Sequence, residues 1–248
     1  MSAPAPPAGT LMLTISGIRG IVGDSLTPAV VVKYVSAFAN LQKTKNHGNL
    51  IILGYDTRPA VEWIKHCAIG ALVAAGLEVL DIGIVPTPTV QLIVQERKAA
   101  GGIIVTASHN PQMWCGLKFV EYTGIFLDQA GCDAIFKEQP LVYAPHDALG
   151  KLDTWGGAIG LHIDRIAELP YVDVDLIRKH HFTVAVDTIN GAGSLAIPRI
   201  LHFLGCTLKE INTEPTGIFA HTPEPIPQNL TQPRELSKGC DLGVAVDP

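Results

Sequence analysis

The sequence predicts an α/β protein built from two consecutive α/β units with mixed, mostly parallel sheets, the second ending at its last strand. Three observations predict this. Short apolar runs alternate with segments of helical periodicity from about residue 11 onward, the pattern of strands covered by helices on both sheet faces. The 248 residues are 47% apolar and only 17% charged, enough for two substantial cores. A turn-rich, weakly patterned stretch from about Gln139 to Gly160 interrupts the alternation, dividing residues 11–150 from residues 151–248.

Before the first strand, Met1 to Gly9 has neither the basic start nor the apolar centre of a signal peptide, so residues 1–10 are expected to form a disordered tail. Leu11–Ser16 reads as a short strand. Thr27 and Pro28 then offer an N-cap and a proline at the first helical position. Val31, Tyr34, Val35, Phe38 and Leu41 follow at helical spacing, which gives that helix one core face. Leu50–Leu53 is a buried strand leading into Gly54-Tyr55-Asp56-Thr57-Arg58. The next helix sets Ile64, Cys67, Ala68, Ala71, Leu72 and Ala75 on one side and closes at Gly76. Val79–Ile84 is a third strand, Pro86 and Pro88 break the pattern, Val90–Arg97 is helical, and Gly101–Val105 is a fourth strand.

In the second unit the expected elements are helices Ile163–Leu169 and Val174–His180, strand Phe182–Val186, helix Ser194–Leu204 and strand Thr207–Ile211. Glu214–Pro233 holds five prolines and must be largely irregular. A short helix near Arg234–Lys238 leads into a last strand, Leu242–Val246, followed by Asp247 and Pro248.

The formal charge, −5 from 18 basic and 23 acidic residues, argues against a general role on nucleic acid or at a membrane surface. An anionic substrate would have to be drawn by local positive charge. The five cysteines form no CxxC pair, as expected of reduced thiols in a cytoplasmic protein. No apolar run approaches membrane-spanning length.

The strongest chemical signal is Thr106-Ala107-Ser108-His109-Asn110-Pro111, directly after the Gly101–Val105 strand. Open α/β sheets place ligands at the carboxyl ends of their strands. Ser108, His109, Asn110 and, further along, Lys118 bring together a hydroxyl, an imidazole, an amide and an amine suited to phosphate. Ser16-Gly17-Ile18-Arg19-Gly20 sets an arginine between two glycines, which let the backbone approach a ligand while Arg19 presents its forked donors. The competing reading of the same residues is a tight turn with an incidental surface arginine. Asp56 and Arg58 can pair with each other and brace the serine loop.

Together these segments resemble the α-D-phosphohexomutases, the phosphoglucomutase/phosphomannomutase family. Its phosphoserine loop reads approximately Thr-Ala-Ser-His-Asn-Pro, two variable residues, an aromatic, then Asn-Gly-x-Lys. Here Trp114, Gly116 and Lys118 match, whereas Cys115 replaces the usual asparagine. The family's Gly-x-Ser/Thr-Gly-x-Arg-Gly and Gly-x-Asp-x-Arg segments match around Arg19 and Asp56. Asp187-Thr188-Ile189-Asn190-Gly191-Ala192-Gly193 resembles its Asp-x-x-Asn-Gly-x-Gly motif, and the Pro-Glu-Pro segment after His221 has its counterpart too.

The resemblance implies a serine, Ser108, that carries a phosphoryl group between C1 and C6 of a hexose phosphate (glucose, mannose or glucosamine phosphate) through a hexose 1,6-bisphosphate. Arg19, Asn110, His109 and Lys118 would bind phosphate, with Arg19, Lys118 and His109 also assisting the transfer. It further implies Mg²⁺ held by a phosphate oxygen on Ser108 and by the family's Asp-x-Asp-x-Asp-Arg loop, of which only Asp247 is present. Domains III and IV of the family have no counterpart in the sequence. The chain is therefore expected to be an N-terminal portion, inactive or nearly so without a separate C-terminal half.

Two other classes compete. Gly191, Gly193 and Ala196 satisfy a G-x-G-x-x-G/A fingerprint, with Glu210 where a ribose-binding acid belongs, which would mean an NAD(P)-dependent oxidoreductase. The missing half would suit a non-catalytic sugar-phosphate-binding or interaction module. A serine hydrolase is excluded because no G-x-S-x-G elbow occurs and the side chains of adjacent Ser108 and His109 diverge.

Overall fold

The computed structural model describes residues 9–248. Most of the expected disordered tail, residues 1–8, lies outside the described residues. Gly9, at its end, donates its backbone N–H to Asp24 Oδ2 at 2.8 Å.

The first unit runs β1 (Met12–Thr14), β2 (Gly17–Ile21), α1 (Pro28–Lys45), β3 (Leu50–Tyr55), α2 (Val61–Ala74), β4 (Glu78–Ile84), α3 (Thr87–Glu96), β5 (Gly101–Val105), β6 (Trp114–Glu121), α4 (Gln129–Phe136) and β7 (Leu152–Thr154). Its seven strands form one sheet in the order β1-β2-β6-β5-β3-β4-β7. The pairs among β3, β4, β5 and β7 are parallel, whereas β1, β2 and β6 enter antiparallel. The second unit follows with α5 (Ala158–Ala167), α6 (Val174–His180), β8 (Thr183–Asp187), α7 (Gly193–Phe203), β9 (Thr207–Ile211), α8 (Thr231–Leu236) and β10 (Leu242–Ala245). Its sheet is wholly parallel, in the order β10-β8-β9.

Local chemistry explains these elements. Thr27 caps α1 by accepting the Val30 N–H at 3.4 Å, Pro28 occupies the first turn, and Asn46 ends the helix in the left-handed conformation. Along β3, Ile51 and Leu53 join the core beneath α1, α2 and α4, while Ile52 joins the core beneath α3. The two-residue period of a strand thus feeds both faces of one sheet. Along β5, Ile103 and Val105 share the first core, and Ile104 the second.

The structure corrects several expectations. The stretch from Gly17 to Gly20 is not a turn but most of β2, paired with β1 on one side and β6 on the other. Gly116, Leu117 and Lys118 likewise lie in a strand, β6, rather than in an extension of the serine loop. Helix α3 begins at Thr87, because Pro86 and Pro88 fall at its N-terminal turn, where a missing N–H costs nothing. Helix α4 was not anticipated. The weakly patterned stretch contains β7, which pairs with β4 and adds an edge to the first sheet. Ala158, at the start of α5, packs into that sheet's second core. The first sheet and its core therefore continue beyond residue 151.

Candidate active site

The carboxyl ends of β3, β5, β8 and β10 converge on one region. Ser108 sits three residues past the end of β5, in the left-handed conformation (φ 51°). A serine held there costs roughly 1 kcal/mol or more, so the surroundings must impose it. They do so densely. The Ser108 N–H donates to Thr106 Oγ1 at 2.9 Å, and Asn110 N–H to the Ala107 carbonyl at 3.1 Å.

Arg58 does most of the holding. Its guanidinium is fully buried and donates to Asp56 Oδ2 at 3.2 Å. It also donates to the carbonyls of Ser108 (2.6 Å), Asn110 (2.7 Å), Pro111 (2.9 Å) and Trp114 (2.9 Å). One planar fork thereby satisfies four loop acceptors, a geometry that the point charge of a lysine could not supply. Burial pushes the Asp56 carboxyl above its usual range, and the Arg58 charge opposes that rise. Asp56 and Arg58 lie behind the loop and are closed off from solvent.

Ser108 Oγ donates to Asp247 Oδ2 at 2.6 Å, a contact that joins the two units. His109 Nδ1 stands 4.0 Å from the same oxygen. Arg19, on β2, donates from Nη1 to Asn110 Oδ1 at 3.0 Å. Its Nε is buried without a partner. Burial and then the Arg58 charge hold the Arg19 guanidinium below its ordinary value. Lys118, on β6 opposite Ile104, is half-buried, with Nζ 5.6 Å from the Phe126 ring centroid. Burial, reinforced by Arg19, lowers its pKa, while Asp247 and Asp56 work in the opposite direction. A lysine lowered in this way exchanges protons more readily than an exposed one.

Ser108, Lys118, Thr106 and Asp247 line a cleft of about 280 Å³ whose other walls include Pro88 and Gly193. Arg19 and Asn110 meet each other beside it, while the His109 side chain is half exposed to solvent. The combination can receive an anion: a hydroxyl at a strand end, two cations and an unpaired donor.

Three features explain departures from expectation. Cys115 is fully buried within the core beneath α1, and its thiol is pushed up to about 12 by burial. It serves as a small apolar residue there. The glycines of the dinucleotide fingerprint are consumed by packing within the chain. A Cβ on Gly191 would lie 2.4 Å from Pro248 Cα, and one on Gly193 would lie 2.6 Å from Val246 Cγ2. Finally, Ser108 and Asp247 offer two hard oxygens, and among the described residues no group of three His, Cys, Asp or Glu side chains gathers. Mg²⁺ prefers six oxygens and yields its water reluctantly, so the residues present do not make up a Mg²⁺ site.

Sequence reasoning missed other contacts, although it singled out the segments that hold Asp187 and His221. Gln112, in the serine loop, bonds to the backbone of Gly217 and Phe219. Asp187, buried at the end of β8, accepts from His221 Nε2 at 2.9 Å and from Asn212 Nδ2 at 3.2 Å. Both sets join residues far apart in sequence, and no local pattern announces them. All five cysteines are free, and among the described residues no helix is long and apolar enough to cross a membrane.

Comparison with known proteins gives a consistent result. Residues 12–139 match the phosphoglucomutase/phosphomannomutase alpha/beta/alpha domain I, and residues 161–248 match the corresponding domain II. A phosphoglucomutase/phosphomannomutase of Thermococcus kodakarensis is 37% identical over 238 residues, covering 93% of this chain and 52% of the relative. A phosphoglucosamine/phosphogalactosamine mutase of Sulfurisphaera tokodaii is 32% identical over 238 residues, with 93% and 51% covered. A solved structure from Thermus thermophilus, provisionally named a phosphomannomutase, superposes with a TM-score of 0.84 at 27% identity, covering 97% of this chain and 55% of that one. The chain spans about half the length of the curated relatives it matches.

Proposed function

The chain belongs to the phosphoglucomutase/phosphomannomutase family, and from that premise we propose that it is the phosphoserine-bearing part of a hexose-phosphate mutase. Ser108 is the phosphoryl carrier. The observation that carries this reading is the placement of Ser108 Oγ in a cleft walled by both units, 2.6 Å from Asp247 and sharing that cleft with Lys118.

Phosphoryl transfer asks a protein for positioning and charge neutralisation more than for covalent activation. In the proposed cycle the phosphorylated Ser108 gives its phosphoryl group to a free hydroxyl of a hexose monophosphate. The Oγ–P bond breaks as the sugar O–P bond forms, and a bisphosphate sugar results. After reorientation the serine takes back the other phosphate, so the net change is migration between C1 and C6. Lys118 accepts the proton leaving the sugar hydroxyl, and a proton returns to Ser108 Oγ as that oxygen leaves phosphorus. The exchange is suited to the lowered pKa of Lys118 and to the cleft the two residues share. Arg19, with one buried N–H unpartnered, neutralises charge on the phosphate, while the Asn110 amide and the His109 ring offer it hydrogen bonds. Asp56 and Arg58 keep the loop in its strained form. Among the described residues, this chain supplies only Ser108 and Asp247 of a Mg²⁺ ligand set.

Because the chain spans about half of its relatives, turnover is proposed for a protein that includes the remaining half, and the isolated chain is expected to turn over slowly or not at all. The same fact would fit a sugar-phosphate-binding fragment without catalysis. Free thiols and the absence of a spanning helix among the described residues suit a cytoplasmic setting. Joining this chain to the C-terminal half of a relative, by fusion or mixing, should produce interconversion of hexose 1- and 6-phosphates that Ser108→Ala abolishes. Full activity in the Ser108→Ala protein would overturn the assignment.

A further inference from the structure

We propose that residues 214–219 form a strap clasping the Ser108 loop from the second unit, and that Gln112 and Phe219 are positioning residues for Ser108. The inference deepens the reading of Ser108 as the phosphoryl carrier and rests on it.

The strap is anchored at both ends. In its own unit Asn190 holds it three times: its carbonyl accepts the Gly217 N–H at 3.1 Å, its Oδ1 accepts the Glu214 N–H at 3.3 Å, and its Nδ2 donates to the Ile218 carbonyl at 2.9 Å. The Thr57 hydroxyl donates to that same Asn190 carbonyl at 2.8 Å, tying the hub to the end of β3. Toward the serine loop, the Gln112 amide reads the strap's backbone as a complementary pair. Its Nε2 donates to the Gly217 carbonyl, and its Oε1 accepts the Phe219 N–H at 3.2 Å. The Phe219 ring lies 4.7 Å from the guanidinium of Arg58, the group that gathers the loop carbonyls, so the strap touches the loop's clamp as well as the loop. The approach is tight enough to require glycine. Gly217 has φ +68°, and a Cβ there would lie 1.9 Å from the Thr57 carbonyl oxygen.

Gln112 occupies one of the variable places of the resembling loop, so the clasp is a property of this chain's own side chain. Losing it should free the loop without unfolding the sheet, because neither Gln112 nor Phe219 belongs to a core cluster.

Amide hydrogen exchange read by mass spectrometry tests this on the chain as it stands. In Gln112→Ala, which removes both bonds to the strap, peptides spanning 106–114 should exchange roughly tenfold faster while β3 peptides stay unchanged, the scale expected when about one or two hydrogen bonds are lost. Phe219→Leu, which keeps the backbone bond and removes only the ring beside Arg58, should accelerate the same peptides less. Gln112→Glu, which keeps the acceptor for Phe219 and loses the donor to Gly217, should fall between. Unchanged exchange at 106–114 in Gln112→Ala would overturn the strap. So would equal acceleration throughout the first sheet, which would mark a merely global effect. The readout needs no phosphoryl transfer, so failure of Ser108 to phosphorylate would count against the mutase reading alone.

Discussion

Replacing Arg58 with leucine should be among the most damaging single changes in this molecule, and the structure gives its scale. Both Arg58 and Asp56 are buried, and the guanidinium makes one bond to the carboxylate and four to loop carbonyls. Breaking a buried ion pair by removing one partner typically costs about 3–5 kcal/mol, since the other charge is left uncompensated. The sign of the pH dependence follows from Asp56. Its folded value is already raised by burial, and without Arg58 the opposing influence is gone. A carboxyl whose folded pKa lies above its unfolded one contributes stability fully present below the unfolded value and lost as pH rises through the folded value. The Arg58→Leu protein should therefore be less impaired at pH 5 than at pH 8. Adding Asp56→Asn should recover part of the loss at pH 8, because no charge is then stranded. Urea denaturation at the two pH values measures all three proteins. A loss below about 1 kcal/mol, far under the cost of a stranded buried charge, would refute the reasoning. A double variant no more stable than the single at pH 8 would do the same.

Other expectations follow from the same geometry. In the joined enzyme, Arg19→Ala and Lys118→Ala should each lower kcat about 10²-fold, the scale for one positioned charge or proton acceptor, as read from steady-state kinetics. The Cys115 thiol, with a pKa of about 12, should resist alkylation in the native chain at pH 8 while the less buried Cys67 and Cys240 react. Its raised value also means that the contribution of this thiol to stability is complete below its unfolded value of 9.0 and is lost as pH rises toward about 12, with a slope of up to about 1.4 kcal/mol per pH unit. Cys115→Val should flatten that alkaline slope in denaturation midpoints measured between pH 8 and 10.5.

Much of this architecture was legible because the elements that carry it are locally self-consistent. The cap Thr27, the proline after it and the buried stripe of α1 all lie within one helix, and β5, α6 and β9 have the limits that their patterns imply. The serine loop was legible for the same reason, since a polar run follows directly on an apolar strand. Antiparallel partners were harder. Strands β2 and β6 pair across nearly a hundred residues, and their glycines and charged residues read as turns when seen alone. The short strand β7 escaped notice because its residues are exposed and only its place beside β4 makes it a strand. The side-chain partners of the site were least legible. Arg58 and Asp56 could be paired on paper, but the four carbonyls that Arg58 gathers, the Gln112 contacts and the Asp187–His221 pair exist only after the chain has folded.

The central claim is that Ser108 receives a phosphoryl group. Incubating the chain with glucose 1,6-bisphosphate, then mapping phosphopeptides, tests it most directly. The account predicts phosphate on the peptide containing Ser108 and none in the Ser108→Ala protein. Phosphate that settles on another residue, or that persists at the same stoichiometry in Ser108→Ala, would contradict it.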